Sequence, residues 1–181
     1  MEDATRSQLE ELLTQILPQR VNEHDRLLIY FAGHGIALDG DDGPNGYLLP
    51  QDARPESTTT FIALNELFTW LNKLLCRHLL VILDCNFVGE FSWKGLRTLP
   101  ASPEPLYQEQ FDRLVRNPAW QLLLSSGQPR PSADTLAGNS LGDRPEQGEH
   151  SIFAGALLHA LQGDSDRTPT DGVITSTELY H

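Results

Sequence analysis

Leu27 to Gly35 reads LLIYFAGHG, and Leu79 to Gly89 reads LLVILDCNFVG. Each stretch opens with a short unbroken apolar run that small and polar residues cut off. That is the pattern of a buried parallel strand. In an open α/β sheet, chemistry gathers at the carboxyl ends of the strands. The two runs are therefore expected to bring His34 beside the Asp84-Cys85-Asn86 cluster, although these lie about fifty residues apart in the chain. A general base at one strand end with a nucleophile on its neighbour is a hydrolase layout.

Working outward, residues 4 to 17 place Leu9, Leu12, Leu13, Ile16 and Leu17 on one helical face, and Pro18 is expected to end that helix. The first strand is expected over residues 26 to 32. Ile36-Ala37-Leu38 and Tyr47-Leu48-Leu49 flank a turn rich in Gly and Asp, which predicts a β-hairpin. A helix is expected over 62 to 75, leading into the second strand at 79 to 84. A loop over 90 to 105, a helix over 105 to 116 and a third strand from Ala119 to Ser125 follow. Gly127 to Gly148 is rich in Gly, Pro, Ser and charge and reads as a flexible loop or cleavable linker. A last helix runs from Ser151 to Leu161, closed by Gly163 as a C-cap.

The chain has 181 residues, enough for one sizeable core, and is read as one domain over 1-181. Its formal charge of -12 argues against a nucleic-acid surface, which needs clustered Lys and Arg. No apolar run approaches the length of a membrane span, and acidic residues rather than a signal peptide follow Met1. Cys76 and Cys85 are the only two cysteines, too few for a disulfide framework or a zinc cluster. A cytoplasmic location is the expectation.

YFAGHG and DCNFVG together resemble the caspase-like cysteine peptidases, the clan of caspases, metacaspases and their bacterial relatives. In that family a His-Gly ends one strand, and an Asp-x-Cys-x-x-Gly-like motif ends the next. This chain matches both motifs but carries Asn86 where the family has its cysteine. The resemblance continues through GPNGYLLPQDA, GEFSWKG, AWQLLLSSG and DGVITSTELY, nearly the whole chain. It implies a caspase-like three-layer α/β/α sandwich with a mainly parallel sheet. The family's opening strand, its helix and the next strand are missing by this comparison. A partial domain is therefore expected, completed by a partner chain or a further segment.

By the same resemblance, His34 is the catalytic base, and the N–H of Gly35 helps to hold the oxyanion. Asp84 matches the acid that lines the pocket for the residue before the scissile bond in the metacaspase-like branch, where a carboxylate selects Arg or Lys. Asn86 stands at the nucleophile position, and an amide cannot be activated by a neighbouring His as a thiol can. Cys85 is expected to face the packed side, since side chains alternate along a strand, and it could substitute only where a twisted strand end breaks that alternation. The expected function is a cysteine endopeptidase domain with basic specificity, inactive as written. The alternative is a natural pseudoprotease that binds a peptide or a partner without cutting. A peptide or protein is the expected ligand in either case.

No cofactor or metal is expected. Asp39, Asp41 and Asp42 fit turn geometry, which leaves only weak support for calcium there. DGVITSTEL imitates half of an EF-hand, but Arg167 and Pro169 would fall at the first and third ligand positions. Glu178 is expected to form a capping box with Thr175 instead.

Overall fold

The computed structural model describes residues 3–40, 45–88, 113, 115–125, 151–166, 170–175 and 178–179. Five strands form one mixed sheet in the order β3-β2-β1-β4-β5. They are β1 (Arg26–Leu38), β2 (Asn45–Leu49), β3 (Ile62–Ala63), β4 (His78–Val88) and β5 (Ala119–Leu124). The apolar runs pair in parallel, with Leu27 opposite Leu79 and Phe31 opposite Leu83, and β5 extends the parallel set beside β4. The anticipated hairpin joins β1 to β2 antiparallel, and β2 carries β3 on its far side.

Three sequence expectations need correction. The first strand does not stop before His34. It runs through Gly33, His34 and Gly35 to Leu38, because β4 pairs with it as far as Ile36 and β2 pairs with His34 to Leu38 from the other side. Ladder bonds from two neighbours outweigh the weak strand propensity of glycine. Ile62 and Ala63 do not begin a helix either. They pair with Leu48 and Tyr47 as β3, and the helix α2 occupies Leu64–Leu71.

The amino-terminal helix also passes through Pro18. It comprises α1 (Arg6–Glu11), a wide turn at Leu12–Ile16 and a last α-helical turn at Leu17–Arg20. Pro18 sits in the opening turn of that last segment, where its missing N–H costs little. The Thr5–Gln8 capping box starts α1.

Strand alternation divides the sheet into two faces. Leu27, Ile29, Phe31, Leu79, Val81, Leu83 and Cys85 pack on one face against Leu9, Leu13 and Leu17 and against Leu64, Leu67, Trp70 and Leu71 of α2. The other face puts Ile82 and Leu123 under Leu157 of the helix α3 (Ile152–His159). Helix, sheet and helix thus form three layers. Arg6 ties the first layer together, with its guanidinium 2.7 Å from Glu66, 2.6 Å from Glu10 and 3.1 Å from the Phe61 carbonyl oxygen.

Ser151 caps α3 by accepting from the Ala154 N–H at 2.9 Å, and Gly163, at φ 115°, lies in the wide turn that ends it. The loop over 90 to 105, most of the helix over 105 to 116, the Gly127 to Gly148 linker, Asp41 and Asp42 lie outside the described residues. Among the described residues, the Arg26–Gly33 part of β1 has a strand partner on its β4 side only. There Leu28 is 57% exposed and Tyr30 43% exposed.

Candidate active site

The parallel register brings the two polar clusters together. His34 pairs with Asn86, and Ala32 pairs with Asp84. Paired residues of neighbouring strands share a face, about 4.8 Å apart along the hydrogen-bonding direction. By alternation His34 and Asp84 therefore share the α3 side of the sheet with Tyr30 and Ile82, and backbone position 86 is in register with His34. His34 is exposed, so its imidazole is open to a ligand. Gly35 lies inside the strand, between Leu48 of β2 and Phe87 of β4, and not at a strand end as the sequence suggests.

Gly33 has a packing role. A Cβ there would meet the Phe31 ring at 3.1 Å. Its lack of a side chain lets that ring lie against the strand on the core face, directly before His34.

Cys85 sits on the opposite face from His34. It is 2% exposed and belongs to the large core cluster with Val81 and Leu83. Burial, with a smaller contribution from the Asp84 charge, pushes its thiol up to about 12. Only the thiolate is nucleophilic, so this cysteine is inert in the fold at neutral pH.

A pH dependence follows from that shift. The folded thiol is raised from an ordinary value of 9.0. Its contribution to stability is complete below about pH 9 and is lost as pH climbs towards 12, because the unfolded thiol ionises first. The slope is at most about 1.4 kcal/mol per pH unit. A thiol reagent at pH 8 should therefore leave Cys85 unmodified in the folded chain and label it in denaturant. Rapid labelling of the native protein at this residue would contradict the placement.

Asp84 is half-buried on the His34 side. Its Oδ2 accepts from the Tyr30 hydroxyl at 2.7 Å and from Ser151 Oγ at 2.5 Å. A strand-terminal Asp more often accepts from turn amides, whereas here both donors are hydroxyls from other elements. Oδ1 has no hydrogen-bond partner among the described residues. The Tyr30 phenol is raised well above its ordinary value, first by burial and then by the bond to Asp84 and its charge. It is therefore a protonated donor throughout the neutral range. Ser125 closes the neighbouring strand end, with its N–H bonded to the Leu83 carbonyl at 3.0 Å and its hydroxyl to the Cys85 carbonyl at 3.1 Å.

Sequence reading missed Tyr30 and Ser151. Tyr30 had a usable signal, since it lies four residues before His34 and so on the same strand face. Ser151 was legible as a helix cap, but not as a neighbour of Asp84.

Glu178 takes the capping role expected of it. Its carboxylate accepts from the Thr175 N–H and hydroxyl, both at 2.8 Å. Asp166, which the EF-hand comparison did not consider, accepts from the Asp171 N–H at 3.1 Å and the Gly172 N–H at 2.9 Å. Among the described residues, no three His, Cys, Asp or Glu side chains are grouped to hold a metal ion. No helix among them is long and apolar enough to cross a membrane.

A search of curated proteins returns no match. The family profile described as "Caspase domain" matches residues 1–176, almost the entire chain. A peptidase family of this kind acts on peptides or proteins. With its mixed, mostly parallel sheet between helical layers and its paired His34 and Asp84–Asn86 segments, this chain belongs to the caspase-domain family.

Proposed function

We propose that this chain is a caspase-like cysteine endopeptidase domain of the metacaspase-like type, with a pocket for Arg or Lys and without cleaving activity in its Asn86 form. The observation that carries the reading is the His34–Asn86 register pair, with Asp84 on the same face and Cys85 turned away. In an active relative, His34 takes the proton from a thiol at position 86. The N–H of Gly35 helps to hold the oxyanion, and Asp84 grips the cationic side chain before the scissile bond. With an amide at position 86 no covalent acyl-enzyme forms, because the amide nitrogen is neither basic nor nucleophilic at neutral pH. Replacing Asn86 with Cys in a complete domain tests the reading. Gained cleavage after basic residues supports it, and cleavage by the Asn86 chain itself overturns it.

A second reading is a natural pseudoprotease of the reducing cytoplasm, binding a peptide or scaffolding a partner. Asn86 itself favours it, since the rest of the motif is kept while the one residue needed for cutting is replaced. A source gene encoding Cys at this position supports the enzyme, and one encoding Asn supports the binder.

The pocket also draws on a partner chain or further segment that adds a strand beside β1. The one-sided pairing of Arg26–Gly33 and the exposure of Leu28 and Tyr30 support this. The 181-residue chain alone should self-associate or bind a hydrophobic dye. Monomeric, cooperative unfolding without dye binding would contradict the added strand.

A further inference from the structure

We infer that Tyr30 and Ser151 are positioning residues that set how Asp84 recognises a cation: their hydroxyls occupy Oδ2 and leave Oδ1 to the incoming side chain. The inference rests on the reading of Asp84 as the pocket acid. Its observations are the two bonds to Oδ2, from Tyr30 at 2.7 Å and Ser151 at 2.5 Å, with Oδ1 unpaired among the described residues.

Each carboxylate oxygen accepts about two hydrogen bonds, so the two hydroxyls fill Oδ2. Both donors are held in place. Ser151 is fixed by its cap on α3, where its oxygen also accepts from the Ala154 N–H. Tyr30 is fixed by its strand, paired with Ile82 and so diagonal to Asp84 on the same face. The carboxylate therefore cannot rotate freely, and it meets a ligand through one oxygen.

That restriction has a consequence for specificity. The advantage of Arg over Lys at a carboxylate comes from the two-pronged fork, with one N–H to each oxygen. A carboxylate with one oxygen already filled denies the fork its second bond. It treats the guanidinium much as it treats the ammonium, as a single charge-assisted donor. Lys and Arg should then be held nearly alike, and removing one hydroxyl should restore the fork and favour Arg.

The test measures equilibrium binding of fluorescein-labelled tetrapeptides to a complete domain carrying Asn86, so that no cleavage intervenes. The peptides end in the amides of Arg, Lys or the neutral isostere citrulline. The parent should bind Arg and Lys within about threefold of one another, with citrulline roughly tenfold weaker. Tyr30→Phe should raise the Arg-to-Lys ratio about tenfold, the worth of one added charge-assisted bond. Tyr30 is partly exposed, so the ring is retained at little cost to folding. Ser151→Gly should act in the same direction while keeping a tolerated cap, and Ser151→Thr should behave like the parent.

A merely structural role moves all three affinities together and leaves the ratio unchanged. An unchanged ratio in both Tyr30→Phe and Ser151→Gly overturns the inference, while loss of cation preference in Asp84→Asn still upholds the pocket. Citrulline bound as tightly as Arg by the parent overturns the pocket, and the positioning role with it.

Discussion

Asn86→Cys, made in a complete domain, is expected to yield a thiol-dependent endopeptidase where the Asn86 form is expected to cut nothing. The expected gain is large because removing a covalent nucleophile from such a constellation costs on the order of 10⁶-fold in kcat. The residual rate supported by the oxyanion donors and substrate binding alone is close to background in an ordinary assay. The geometry of the candidate base supports this: His34 is exposed and in register with position 86. Strand alternation is expected to turn a new thiol there away from the core cluster that holds Cys85 and suppresses its ionisation. The gained activity should be abolished by iodoacetamide and by His34→Ala, and unaffected by Cys85→Ala if the fold holds. Strong, thiol-sensitive cleavage by the Asn86 form would instead make Cys85 the nucleophile.

The second large effect concerns the residue before the cut. An Asn86→Cys variant should cleave after Arg and Lys and ignore Asp. Asp84→Asn should lower kcat/KM for both basic substrates by roughly 10²-fold, as expected for loss of a partly desolvated charge pair. Asp84 is well placed for this, since it is half-buried and two hydroxyls hold its carboxylate. The same acid would repel an Asp side chain, so the expected preference would arise from exclusion as well as attraction. A profiling library cut mainly after Asp or an apolar residue would count against the assignment.

The architecture was legible where local pattern and tertiary pairing agree. The apolar runs at Leu27 and Leu79 are buried parallel strands because nothing in them competes with burial. The alternation that sends Cys85 to the core follows from strand geometry alone, as do the hairpin and the Thr175–Glu178 cap. Errors came where partners decide. Gly33 and Gly35 look like a strand stop until β4 is seen pairing with both and β2 with Gly35. Ile62 and Ala63 fit a helical period, yet two residues suffice for β3 once Leu48 and Tyr47 lie alongside. Pro18 reads as a terminator until a wide turn before it opens a new helical segment.

The placement of the candidate residues was legible to the same degree. His34 shares a face with Asp84 and is in register with position 86 because two strands pair in one register, and apolar runs of similar length predict that register. The hydroxyls on Asp84 were not legible. Ser151 is 67 residues away in sequence, and no local pattern announces that a helix cap also serves a carboxylate on the sheet.

The account stands on position 86, and not Cys85, being the seat of chemistry. An arginyl chloromethyl ketone tests this directly, because its cation would seek the proposed Asp84 pocket while its carbon alkylates only a reactive thiol beside it. Peptide mass mapping should place the label at position 86 in the complete Asn86→Cys domain and find none on the Asn86 chain. Label on Cys85 in either protein, or no label in the variant, would contradict the account.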